Sequence, residues 1–71
     1  MMKFEDGKIY VFSREKFFKS KEGNKEYYES DTVVKSWVDK CDGQRVTILS
    51  IFLGEVDGYY IIPNWCKKIR K

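Results

Sequence analysis

Three observations predict a small, mainly β domain. Runs rich in β-branched and aromatic residues recur at short spacing: Ile9-Tyr10-Val11-Phe12, Arg45-Val46-Thr47-Ile48-Leu49 and Tyr59-Tyr60-Ile61-Ile62. Asp57-Gly58 stands between two apolar runs, and that dipeptide suits the positive φ angles of a two-residue type I′ hairpin turn. Pro63, the single proline, ends the last of these runs because it has no N–H to give a ladder. The chain has 71 residues and no linker rich in Pro, Gly or Ser, so residues 1–71 are read as one domain. Aromatic residues make up 17 % of it, and a few large rings are an efficient way to fill so small a core.

The elements are expected in the following order. Residues 4–12 form a first strand, bent at Gly7, with Tyr10 and Phe12 on one face and Ile9 and Val11 on the other. Ser13 caps a short helix over residues 14–21, or a loop with one helical turn, which stops at Gly23-Asn24. Residues 25–29 form a short exposed strand. Residues 31–42 carry two opposed signals. Val34, Trp37, Val38 and Cys41 fall at helical spacing, with Asp31 as cap and Gly43 as stop, whereas Thr32-Val33-Val34 is β-branched. The β-branched run tips the expectation to strand followed by turn. Strands over residues 45–49, up to Val56 and over residues 59–62, a single 3-10 turn at Pro63-Asn64-Trp65-Cys66 and a closing strand over residues 67–70 complete the chain.

Two stretches of the second half carry a resemblance. Gly43-Gln44-Arg45-Val46-Thr47-Ile48 is similar to the glycine-led second strand of Src-homology-3-like domains. Gly58-Tyr59-Tyr60-Ile61-Ile62-Pro63-Asn64-Trp65-Cys66-Lys67-Lys68-Ile69 resembles their final stretch, where a strand runs into proline and a 3-10 turn precedes the last strand. The resemblance implies a small five-stranded Src-homology-3-like barrel with a helical excursion after the first strand. Trp65 follows Pro63 by two positions where the family has Tyr after three. The excursion is basic (Arg14, Lys16, Lys19, Lys21, Lys25) where polyproline-binding members are acidic, so polyproline recognition is not implied. In style and compactness the chain also resembles small phage and prophage proteins, which implies an inhibitor of a host protein such as a defence enzyme.

Composition excludes several chemistries. Histidine is absent, and with it the usual general base, metal ligand and pH switch. Two cysteines, Cys41 and Cys66, are too few for a cysteine-only zinc site; packed thiols are expected, a disulfide being open to them if they meet in space. Glu55 and Asp57 flank a solvated turn and do not make a catalytic pair. No Gly-rich phosphate loop or calcium-loop spacing occurs. The expectation is therefore no catalytic residue, no metal and no cofactor. No apolar run is long enough to span a bilayer, and residues 1–6 hold no signal-like run, so the expectation is cytoplasmic, with no membrane partner.

What remains is binding. Ser50-Ile51-Phe52-Leu53-Gly54 sets three large apolar residues between two strands, either on a turn or within one long bent strand whose core they fill. Read as a turn, Ile51, Phe52 and Leu53 would anchor a protein partner, together with Tyr60 and Trp65 as an aromatic groove. The expected partner is a larger host protein, masked by surface occlusion, and the chain itself a monomer or a homodimer joined through an edge strand. The net charge is +3, with the acidic residues concentrated in residues 26–42. The alternative is a nucleic-acid-binding barrel, with Arg14, Lys67, Lys68 and Arg70 on phosphates and Tyr27, Tyr28 or Tyr60 stacking on bases.

Overall fold

The computed structural model describes residues 2–69. The elements run β1 (Ile9–Phe12), α1 (Arg14–Lys19), α2 (Lys25–Ser30), α3 (Thr32–Cys41), β2 (Thr47–Ser50), β3 (Leu53–Val56), β4 (Tyr59–Ile61), a 3-10 turn (Pro63–Trp65) and β5 (Cys66–Ile69). About 37 % is helical and 29 % strand, in two antiparallel sheets, β1-β5 and β2-β3-β4. The described residues thus make an α+β fold, and the expectation of a mainly β, five-stranded barrel is overturned: among them no closed barrel forms. The sheets touch at one corner, where Phe12 N–H donates to Gln44 O and Val46 N–H to Tyr10 O around the Val11–Arg45 bridge.

The helices are where the β reading failed, and capping explains much of it. Asp31 accepts from the Val33 N–H and starts α3; Val34, Val38 and Cys41 are its buried stripe, with Trp37 half-buried beside them. Burial of four apolar side chains outweighs the few tenths of a kcal/mol that each β-branched residue costs a helix. Val33, the residue that argued for a strand, points outward and is 67 % exposed. Residues 25–29, expected as a strand, lie in α2. Asn24 accepts from the Tyr27 N–H, and the helical turn sends the two tyrosines to different neighbours: Tyr27 stacks near Phe17, and Tyr28 meets Phe18 edge-on at 4.9 Å.

Other expectations hold with shifted ends. Ser13 accepts from Lys16 N–H and caps α1, which ends at Lys19. β1 is shorter than expected, because residues 6–7 turn; its Tyr10 and Phe12 share a face as the alternation requires, and that face is the buried one. Asp57 (φ 52°) and Gly58 (φ 86°) both adopt positive φ, as the type I′ turn demands. The closing strand begins one residue early, at Cys66, and Arg70 lies outside the described residues.

One core joins both halves. Phe12, Phe17, Val38, Cys41 and Ile61 are fully buried and come from β1, α1, α3 and β4. Trp37 and Trp65 close it from the side, within 4.9–6.3 Å of the Phe12 and Phe17 rings. Gly54 lets β3 lie close to this core: a Cβ there would collide with Val46 and come within 3.2 Å of the Phe4 ring.

Candidate functional site

The chain does turn at Ile51-Phe52. Ser50 pairs with Leu53 across that turn, and β2 steps from Ile48 to Ser50 while β3 steps only from Gly54 to Leu53, a β-bulge at Leu49. The tip is held on both sides. Phe4 N–H donates to Ile51 O at 2.7 Å, and Phe52 N–H donates to Ser50 Oγ at 3.3 Å. Ile51 and Phe52 are about half exposed, as are Ile48 and Leu49 in the strand before them, and all four residues of β2 face solvent. No charged residue stands between Arg45 and Glu55. A continuous apolar run thus lies along an edge strand and its turn, fixed by backbone bonds.

Phe52 also forms one wall of a shallow groove of about 280 Å³ with Met2, Ile62 and Pro63, rimmed by Glu22 and Asn64. Asn64 Nδ2 donates to Glu22 Oε1 at 3.4 Å across that rim.

The five expected anchors do not form one patch. Ile51 and Phe52 are on the turn. Leu53 is half-buried as the first residue of β3. Tyr60, 69 % exposed, pairs with Glu55 on the face of the sheet opposite Ile61. Trp65 belongs to the core wall: it is half-buried, its ring packs on Phe17, and its indole N–H donates to Ser20 Oγ at 2.9 Å. The neighbours that sequence reasoning left out are Ile48, Leu49 and Met2. The gap in charge between Arg45 and Glu55 was a legible signal for the first two.

Of the four basic residues proposed for phosphate contacts, Arg14 and Lys68 are engaged, Lys67 is exposed and Arg70 lies outside the described residues. Arg14 Nη1 bonds Asp39 Oδ1 at 2.8 Å, and the Arg14 N–H donates to Asp42 Oδ1. Asp39 also accepts from the Tyr28 hydroxyl at 2.6 Å. These bonds hold the Asp39 carboxyl below its ordinary range, Tyr28 first and Arg14 next, and raise Arg14 and Tyr28 in return. Lys68 bonds Glu5 at 3.2 Å, and Lys67 is exposed. Lys40 pairs with Asp57 at 2.7 Å, which raises the lysine. Of the tyrosines, Tyr28 is tied to Asp39 and Tyr27 stands beside Phe17.

Cys41 and Cys66 are free and buried, and burial raises both thiols, Cys66 to about 12. Both are protonated at neutral pH and poor nucleophiles. Among the described residues no group of three or more His, Cys, Asp or Glu side chains gathers to hold a metal ion, and no helix is long and apolar enough to cross a membrane.

Comparison with known proteins gives no match to a family model, a curated protein or a solved structure.

Proposed function

We propose that this chain is a non-catalytic protein-binding module that masks a surface on a larger protein, with Ile51 and Phe52 as anchors. One observation carries the reading: the uncharged run from Ile48 to Phe52 is exposed yet pinned by backbone bonds. A pinned apolar turn loses little conformational freedom on docking, so most of the area it buries is available as affinity. Masking is the mode of action expected of an inhibitor of a larger host enzyme, and it asks nothing more than such a surface. The net charge of +3 would speed encounter with an acidic partner without setting the affinity. The phosphate-binding alternative has less support, since Arg14 and Lys68 already face carboxylates.

The test compares capture by the native protein, by Phe52→Asp and by Val33→Asp, with quantitative mass spectrometry of the proteins retained. Val33 is an exposed apolar residue too, 67 % against 48 % for Phe52, but lies on α3. The same retained set should survive Val33→Asp and high salt, and vanish with Phe52→Asp while the circular dichroism spectrum is unchanged. Capture that survives Phe52→Asp would refute the anchor assignment. Retention of DNA or RNA that falls steeply with salt would replace it with the nucleic-acid reading.

A further inference from the structure

The backbone beside β2 narrows the class of ligand. On one side, Thr47 pairs with Glu55 of β3. On the other, the flanking residues are bonded: Val46 N–H to Tyr10 O at one end, and Ile51 O to Phe4 N–H at the other. Between these two bonds the N-terminal arm, residues 2–8 ahead of β1, leaves the strand, because residues 5–8 close a turn in which Lys8 N–H donates to Glu5 O. Alternate residues of a strand direct their N–H and C=O groups to the same side. Val46 N–H points away from β3 to Tyr10 of β1, so the Ile48 N–H and C=O, in Cα register with Gly54, point away from β3 too, and among the described residues no backbone bond outside the ladders reaches them. The space left there is a slot of about 300 Å³, walled by Ile48, Ser50 and Ile51 on one side and by the arm on the other, with Phe4 beneath. The chain between the two flanking bonds, from Val46 to Ile51, spans at most roughly 17 Å at the rise of an extended chain.

We propose that this slot takes an extended, uncharged peptide segment of the partner, which adds to the sheet by exchanging both backbone hydrogen bonds with Ile48. This rests on the protein-binding reading and names the form in which the partner is bound. Three features select this occupant. An unpaired N–H and C=O on one strand residue are complementary to another backbone, and a nucleic acid or an acyl chain does not offer that pattern. The strand wall carries no charge and Glu5 is tied to Lys68, so a charged segment would lose hydration along that wall without gaining a counter-charge from it. A second folded copy needs about 800 Å² of open surface per partner, whereas this recess has a volume of only about 300 Å³.

The probe is the acetylated and amidated peptide Thr-Val-Thr-Val-Thr, titrated into isotope-labelled protein and followed by the amide signals of residues 46–51. Shifts should centre on Ile48, with slowed exchange of its amide proton. Methylating the central amide nitrogen of the peptide should weaken binding about tenfold, the worth of one hydrogen bond. In the protein, Ile48→Pro removes the N–H that faces the slot, a place where an edge strand tolerates proline, and should abolish binding with the fold intact. No shift at millimolar peptide, equal binding of the methylated peptide, shifts confined to the Phe52 groove, or the same shifts on concentrating the protein alone would each overturn the proposal. Capture lost with Phe52→Asp alongside any of these results would sink the slot and leave the docking turn standing.

Discussion

Asp39 accepts one bond from Tyr28 and one from Arg14, so a single carboxylate ties α3 to α1 and α2. Its carboxyl is held below the ordinary value of ~3.9, so the stabilisation it gives is present above that pH and is lost as acid titrates the folded state. Tyr28 is raised, so its share is complete below about pH 10 and is lost as alkali ionises the phenol. Asp39→Asn should return the Tyr28 phenolate transition toward pH 10, read by ultraviolet absorbance, and should flatten the acid limb of stability. Asn24 is a second residue-scale case. Its φ of 92° and ψ of 160° lie in a region nearly reserved for glycine, at a cost of about 1–3 kcal/mol. Replacing an Asn cap by Gly costs only a few tenths. Asn24→Gly should therefore stabilise the protein by about 1 kcal/mol, a rise in urea midpoint without a change in slope.

At the scale of elements, caps and one hydroxyl hold the helical excursion together. Asp31 is both the end of α2 and the cap of α3, so Asp31→Ala should cost about 1 kcal/mol and lower the helical circular dichroism. Ser20 uses its full bonding capacity: its hydroxyl donates to Phe17 O and accepts from the Gly23 N–H and the Trp65 indole. Ser20→Ala would orphan a half-buried indole N–H and loosen the turn that packs Gly23 beneath Phe17, and the expected loss is about 1–3 kcal/mol by thermal melting. Hairpin β3–β4 was legible from Asp57-Gly58 because that turn is a local matter of φ. α3 was not, since its two sequence signals differ only in which contacts reward them.

For the whole molecule, the decisive fact is how few side chains make the core. A chain of 71 residues has about 4–10 kcal/mol of net stability. Phe17 is fully buried and touches Phe12, Trp37 and Trp65. Phe17→Ala should cost about 3–5 kcal/mol, most of that margin, and leave the protein largely unfolded near body temperature by near-ultraviolet circular dichroism. Phe52→Asp, on the exposed turn, should change stability by no more than about 0.5 kcal/mol. This contrast separates the residues that build the fold from those offered to a partner.

The sequence by itself determined what depends on near neighbours: the Ser13 cap, the type I′ turn, the proline that ends a strand, the shared face of Tyr10 and Phe12, and the uncharged stretch between Arg45 and Glu55. Tertiary structure decided the rest. Thr32–Cys41 became helix because a buried stripe of Val34, Val38 and Cys41 outweighs the strand preference of two β-branched neighbours. Trp65 became a wall of the core because Ser20, 45 positions away in the chain, accepts its indole hydrogen. Local preferences are worth tenths of a kcal/mol per residue, burial is worth one or more, and burial exists only once distant segments have met.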